Sequence, residues 1–389
     1  MRKKNLVTLV IVATLLTWTS AAYAKEGYGR GKHGAVFAMT NDADDNQIVI
    51  FERDNDGLLT LSGTVSTGGH GSGGGLDPLA SQGSVVLTEN NRWLLAVNAG
   101  SNDISVFLVK RDALKLVDQV DSGGEFPVSL TVFHNLVYVL NAGGSANITG
   151  FYLSNRGELI HRDHSTRDLE TGGFAQVGFD PWGDNLVITD RDENEILVFK
   201  LGWHGLPAME PVTSPSNGIA PFGFIFTEKG KLLVSEAGSG AVSLYAVNAD
   251  GSLRVISLSV ENGQTATCWI AGNDDGYIFT ANTGSQTLSA YSLIDGKGKW
   301  HNRDRWDEAK RWKGKHRKYD SELELLDATA GFGNRPIDMD ISFNGRFLYA
   351  LDPAEGTIDM FKIESDGSLT NLGTVSGGFS IFAQGIAVN

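Results

Sequence analysis

The chain has 389 residues and a formal net charge of −14, with 48 glycines, 9 prolines and a single cysteine. So acidic a body excludes general nucleic-acid binding. One cysteine, Cys268, excludes an intrachain disulfide and reads as a small buried apolar residue. The glycine content points to many turns and no long helices.

At the N-terminus, Arg2, Lys3 and Lys4 precede the apolar run Leu6 to Trp18, and Ala22-Tyr23-Ala24 has small-x-small cleavage spacing. This is the pattern of a secretory signal peptide over 1–24, with a linker over 25–34. The run is short for a bilayer span and no second one follows, so no transmembrane anchor is expected. The expected location is periplasmic or secreted.

From residue 35 one unit repeats: an apolar strand closed by a polar residue, a short turn, then a strand carrying an aromatic. The polar residue and its aromatic are Asn41 and Phe51, Asn98 and Phe107, Asn141 and Phe151, Asp190 and Phe199, Glu236 and Tyr245, Asn282 and Tyr291, and Asp352 and Phe361. Short apolar runs such as Pro127 to Phe133 and Pro336 to Ile341 come before each unit, and Asp-Gly turns such as Asp250-Gly251 and Asp366-Gly367 come after. Four short strands per repeat predict an all-β, seven-bladed β-propeller over 35–389. The first unit lacks its first strand, and an orphan strand over 383–389 is predicted to pair with it and close the ring.

Blade geometry puts the end of each second strand and the start of each innermost strand on one face, the top. That places Asn41, Asn98, Asn141, Asp190, Glu236, Asn282 and Asp352 beside the central channel. Around them stand Gln82, Phe126, Phe174, Gln176, Phe222, Trp269, Arg335, Phe382 and Gln384. The expected ligand-binding residues are Gln82, Asn98, Asn141, Gln176, Asp190, Phe222, Asn282, Asp352 and Gln384. Strand-end Asn and Asp also serve turn backbones, which is the structural alternative for the ring. Carboxylates gathered at a channel mouth raise each other's pKa and suit acid–base work.

The glycine-rich stretch Gly68 to Gly75 reads as a flexible lid or a long linker, with His70 above the mouth. No helix follows it to make a phosphate site. His161 and His164 sit on one strand with spacing that turns them to opposite faces. No zinc spacing or nucleophile elbow occurs, so no metal and no cofactor are expected. Residues 297–318 carry ten Lys/Arg against three acids, with Trp300, Trp306 and Trp312. This basic insertion, bounded at 297–320 in blade six, suits an anionic polymer or an acidic partner on the bottom face. The chain is expected to be a monomer.

The phrases Gly345 to Asp352, Thr357 to Ile363 and Asp366 to Thr370 resemble the lactonase-type seven-bladed propellers, which include bacterial 6-phosphogluconolactonases and fungal carboxymuconate lactonizing enzymes. The resemblance covers about 35–389. It implies a sugar-acid or lactone ligand at the channel mouth and an acidic catalytic position at Glu236 in Val234-Ser-Glu-Ala. Where that family carries Pro-Arg-His this chain has Pro221-Phe-Gly-Phe224, and where it carries a histidine there is Phe174-Ala-Gln-Val177. The imidazole and guanidinium of the family's usual lactone reaction are therefore missing from their places. His70 and Arg335 are the candidates to join Glu236 in a catalytic set. The alternative is a non-catalytic interaction scaffold.

Overall fold

A computed structural model describes residues 34–110, 113–294 and 321–389. The expected signal peptide and most of the linker lie outside the described residues, as does the basic insertion. The described residues form seven antiparallel sheets around a central axis, one per predicted blade. Each second strand falls where the repeat put it: Trp93–Asn98, Asn185–Asp190, Lys231–Glu236 and Tyr277–Asn282 are examples. Among the described residues no helix is long and apolar enough to cross a membrane.

The pattern folds this way because both faces of the inner three strands are covered. Lys231–Glu236 is buried from its second residue on, whereas the outer strand Leu59–Ser66 is mostly exposed. Neighbouring blades pack face to face through these apolar strands, so no blade has a buried core of its own. Tyrosines at the bottom lock three of the blades to the next. Tyr138 Oη donates to Gly205 O (2.9 Å), Tyr277 Oη to Ser365 O (2.7 Å) and Tyr349 Oη to Gly57 O (2.9 Å). The last of these joins blade seven to blade one.

The closure also follows expectation. Ile386–Val388 pairs antiparallel with Gly34–Met39, with Phe37 opposite Ala387, and becomes the innermost strand of blade one. Asn389 Oδ1 accepts the Ala35 amide at 2.6 Å.

Two local readings change. The glycine-rich stretch is packed against its neighbours. A Cβ at Gly69 would meet the Asn98 side chain within 2.6 Å, and Gly71 has Asn41 backbone where its Cβ would stand. These glycines let two chain segments touch, so the stretch is no free lid. In blade three the outer strand is broken into Leu159–His161 and Arg167–Asp168. His164 sits in the intervening turn at φ 62°, not on a strand with His161.

Candidate functional site

The top of the channel is crossed by the chain itself. After the glycine-rich stretch, residues 79–84 cross the axis on their way into blade two. Ser81 Oγ donates to Val128 O in blade three at 2.8 Å, and Gln82 N to Ala175 O in blade four at 3.1 Å. Trp269 Nε1 in blade six and Gln384 Nε2 in blade one both donate to Ser81 O, at 2.9 and 2.8 Å. One short segment thus holds backbone or side-chain bonds to four other blades.

Three of the amides expected to bind ligand are used as staples. Gln82 accepts from Ile270 N (3.0 Å) and donates to Ile270 O (2.9 Å). Gln176 does the same with Phe224 N (2.7 Å) and Phe224 O (3.0 Å). Gln384 accepts from Leu79 N (3.0 Å) besides donating to Ser81 O. A carboxamide carries a donor and an acceptor in one plane, so a single glutamine satisfies both groups of an inner-strand residue that has no strand beside it.

The ring residues are likewise turned to internal work, and all are buried. Asn98 Nδ2 donates to Asp103 Oδ1 (2.5 Å) and Ser105 Oγ (2.8 Å), and its Oδ1 accepts from Asn46. Asn141 donates to Ser122 O and Asn147 Oδ1. Asn282 Oδ1 accepts from Asn262 and Thr267, while its Nδ2 donates to Thr287 and Ser289. Asp190 Oδ1 accepts the Gly173 and Asp192 amides. Asp352 accepts those of Asn334, Arg335 and Glu355. Each ring residue ties the segment leading into its blade, or a neighbouring strand, to the end of the second strand.

The expected catalytic residues are not brought together. Glu236 is fully buried and accepts from Ser216 Oγ (2.8 Å) and Tyr245 Oη (3.3 Å). A Cβ on Gly218 would meet its side chain within 2.7 Å, so the chain lies directly on it. Burial pushes its carboxyl above the ordinary range, against the hydrogen bonds from Ser216, Ser243 and Tyr245. His70 is exposed and hangs from blade-one and blade-two turns, with Nδ1 2.9 Å from Asp44 O and its amide donating to Ser101 Oγ. Arg335 is exposed, and its amide is held by Asp352. No hydrogen bond, ion pair or ring contact joins any two of these three.

Another set does converge at the channel top. Asp77, at φ 53°, precedes the crossing segment, and its Oδ1 is shut off from solvent without a hydrogen-bond partner. Desolvation pushes its carboxyl up to about 7, the pull of Arg191 only partly offsetting it. Arg191 follows ring residue Asp190. Its Nε donates to Gly173 O at 2.8 Å, and its guanidinium carbon lies 5.7 Å from the centre of the buried Phe222 ring. The Phe222 ring in turn packs edge-on to Trp269 at 5.1 Å. The Cys268 thiol senses both charges, and burial raises it too far to ionise near neutrality. Asp338 and Asp340, both raised by burial, stand on the blade-seven side, and Asp77 adds to the shift of Asp338. Of this set Phe222 and Trp269 were placed at the rim from the sequence, and Cys268 was read there only as a small buried apolar residue. Arg191 had a signal, since it adjoins a ring position. Asp77 had only its place beside Pro78 after the glycines. Among the described residues no cluster of three His, Cys, Asp or Glu is arranged to hold a metal ion.

With this geometry in hand the chain can be set beside known proteins. Residues 44–171 match the family "Lactonase, 7-bladed beta-propeller". The chain resembles the lactonase-type propellers, as its blade phrases suggested. A candidate 6-phosphogluconolactonase of Bacteroides fragilis superposes with a TM-score of 0.66 at 16% identity, covering 92% of this chain and 98% of that one. The periplasmic gluconolactonase of Pseudomonas aeruginosa gives 0.68 at 15%, covering 92% and 99%. A Lactobacillus plantarum protein gives 0.68 at 13%, covering 92% and 99%. At these identities the likeness is one of fold. No curated protein matches the sequence.

Proposed function

We propose that this chain is an exported lactonase-like propeller that binds a small anionic ligand of the sugar-acid or lactone class at the top of its channel. The observation that carries the reading is that Arg191, whose guanidinium carbon lies 5.7 Å from the centre of the Phe222 ring, exerts its charge on the carboxyl of Asp77. Nε of Arg191 is spent on Gly173, which orients the guanidinium and leaves its terminal nitrogens for a carboxylate or a developing oxyanion. A carboxyl near 7 exchanges a proton at neutral pH, as a base for water and then an acid for the leaving alkoxide. Export rests on the N-terminal sequence, and the likeness to a periplasmic gluconolactonase is compatible with it.

The test is calorimetric titration with gluconate together with hydrolysis of glucono-δ-lactone. Wild type is expected to bind gluconate. Arg191→Gln is expected to weaken it at least tenfold, and Asp77→Asn to abolish any lactone turnover. Absence of both binding and turnover in wild type would leave the interaction-scaffold reading in its place. Sequencing the N-terminus of the protein recovered from its host tests export, with a start at Lys25 expected.

A further inference from the structure

Away from the channel, blade seven breaks a pattern that four other blades keep. The third residue of the third strand is Ser105, Thr149, Ser243 and Ser289 in blades two, three, five and six, and Asp359 in blade seven. Where the residue is serine beside an asparagine ring residue, its hydroxyl is used twice. Ser105 Oγ accepts from Asn98 and donates to Thr67 O, each at 2.8 Å. Ser289 Oγ accepts from Asn282 and donates to Ala328 O, each at 2.8 Å.

As a carboxylate Asp359 has no donor to offer, and no hydrogen bond reaches its Oδ2. Its ring neighbour Asp352 is itself a carboxylate, occupied by backbone amides. Asp359 is 6% exposed, and its Oδ2 is buried without a hydrogen-bond partner. An unpartnered carboxylate oxygen is costly to bury, so the site is incomplete as it stands. Desolvation, then Asp352 and Glu355, push its carboxyl up to about 7. The residue lines a cavity of about 350 Å³, with Glu355, Thr374, Gly333 and Phe332 on its walls. A Cβ at Gly333 would stand 2.6 Å from Asp359 Oδ2, so the space beside that oxygen exists because residue 333 is glycine. Phe332 is 66% exposed.

We propose that this cavity is a binding site for a primary alkylammonium ion, whose N–H groups donate to Asp359 while Glu355 adds negative charge and Phe332 covers the carbon chain. Four points select this chemistry. The missing element is a donor carrying positive charge. The acids are not arranged to coordinate a metal ion. A single available carboxylate suits the point charge of an ammonium better than the two-pronged guanidinium, and an exposed aromatic ring at the rim suits an alkyl cation.

The experiment is calorimetric titration of the intact protein with n-butylammonium chloride at pH 8, with n-butanol and calcium chloride as separate probes. Wild type is expected to bind the ammonium saturably and the alcohol not at all. Asp359→Ser restores the residue of three other blades and is expected to fold while binding at least tenfold more weakly. Asp359→Asn, which keeps the shape, is expected to behave likewise, and Phe332→Ala to lose several-fold. No saturable binding to wild type, or unchanged binding in both Asp359 variants, would overturn the proposal. So would calcium binding more tightly than the ammonium.

Discussion

Blades six and seven meet the same backbone with opposite side-chain chemistry. In blade six, Asn282 gives two hydrogen bonds and takes three, and Ser289 completes the set. In blade seven the matching pair is Asp352 and Asp359, two acceptors, and one oxygen is left over. The backbone positions are equivalent, so the repeat alone does not make a ring position structural or functional. What decides is whether the donors and acceptors around it balance. The same holds at the channel, where Gln82 and Gln176 are satisfied by inner-strand backbone and Gln384 by the crossing segment, while Oδ1 of Asp77 has no partner.

The comparison presupposes a closed ring, and the largest expected effect tests that. Deleting residues 379–389 removes the strand paired with Val36 to Ala38 and should abolish the cooperative unfolding transition. A truncated protein that melts as wild type would break the closure. Next, Asn282→Asp converts blade six toward blade seven. It removes two donors and buries a charge, and should cost about 3 kcal/mol or more in urea denaturation at pH 8. A cost below about 1 kcal/mol would mean the ring does not depend on the balance described. At the channel, Gln82→Ala leaves both polar groups of Ile270 unpaired and should cost about 2–3 kcal/mol.

A smaller effect runs the other way. In Asp359 the folded-state pKa, about 7, is raised above the ordinary 3.8. The folded state therefore holds this proton more tightly than the unfolded chain does. Its contribution to stability is fully present below about pH 4 and falls away as pH rises toward 7. Asp359→Ser should remove that part of the pH slope, standing about 1–2 kcal/mol above wild type at pH 8 and losing the gain by pH 4. Equal slopes in the two proteins would separate Asp359 from the imbalance. The smallest effect is expected at exposed His70, where His70→Ala should change stability by less than about 0.5 kcal/mol.

The blades were legible because the repeat is local. The distance from Asn98 to Phe107, or from Glu236 to Tyr245, is set by a two-strand hairpin, and a hairpin's register depends on residues close together in the chain. Closure was legible for a related reason, since blade one lacked a strand and residues 383–389 had no other partner. The site was less so. Gln82 and Ile270 lie 188 residues apart, and nothing near either one marks the contact. An Asn or Gln at a strand end looks the same whether it faces a ligand or the backbone of another blade. Asp359, at one position of a regular strand, differed from its counterparts only when the blades were set in register.

The sequence by itself determined the all-β fold, the seven blades and the pairing that closes them, because periodic burial and turn residues specify strands through near neighbours. Only the tertiary structure decided that residues 79–84 cross the channel, that the amide rim is spent on holding it together, and that Asp77 and Arg191 come to the same place. Those outcomes depend on which groups from distant blades reach one another in a low-dielectric interior, where each polar group must find a partner or remain in want of one.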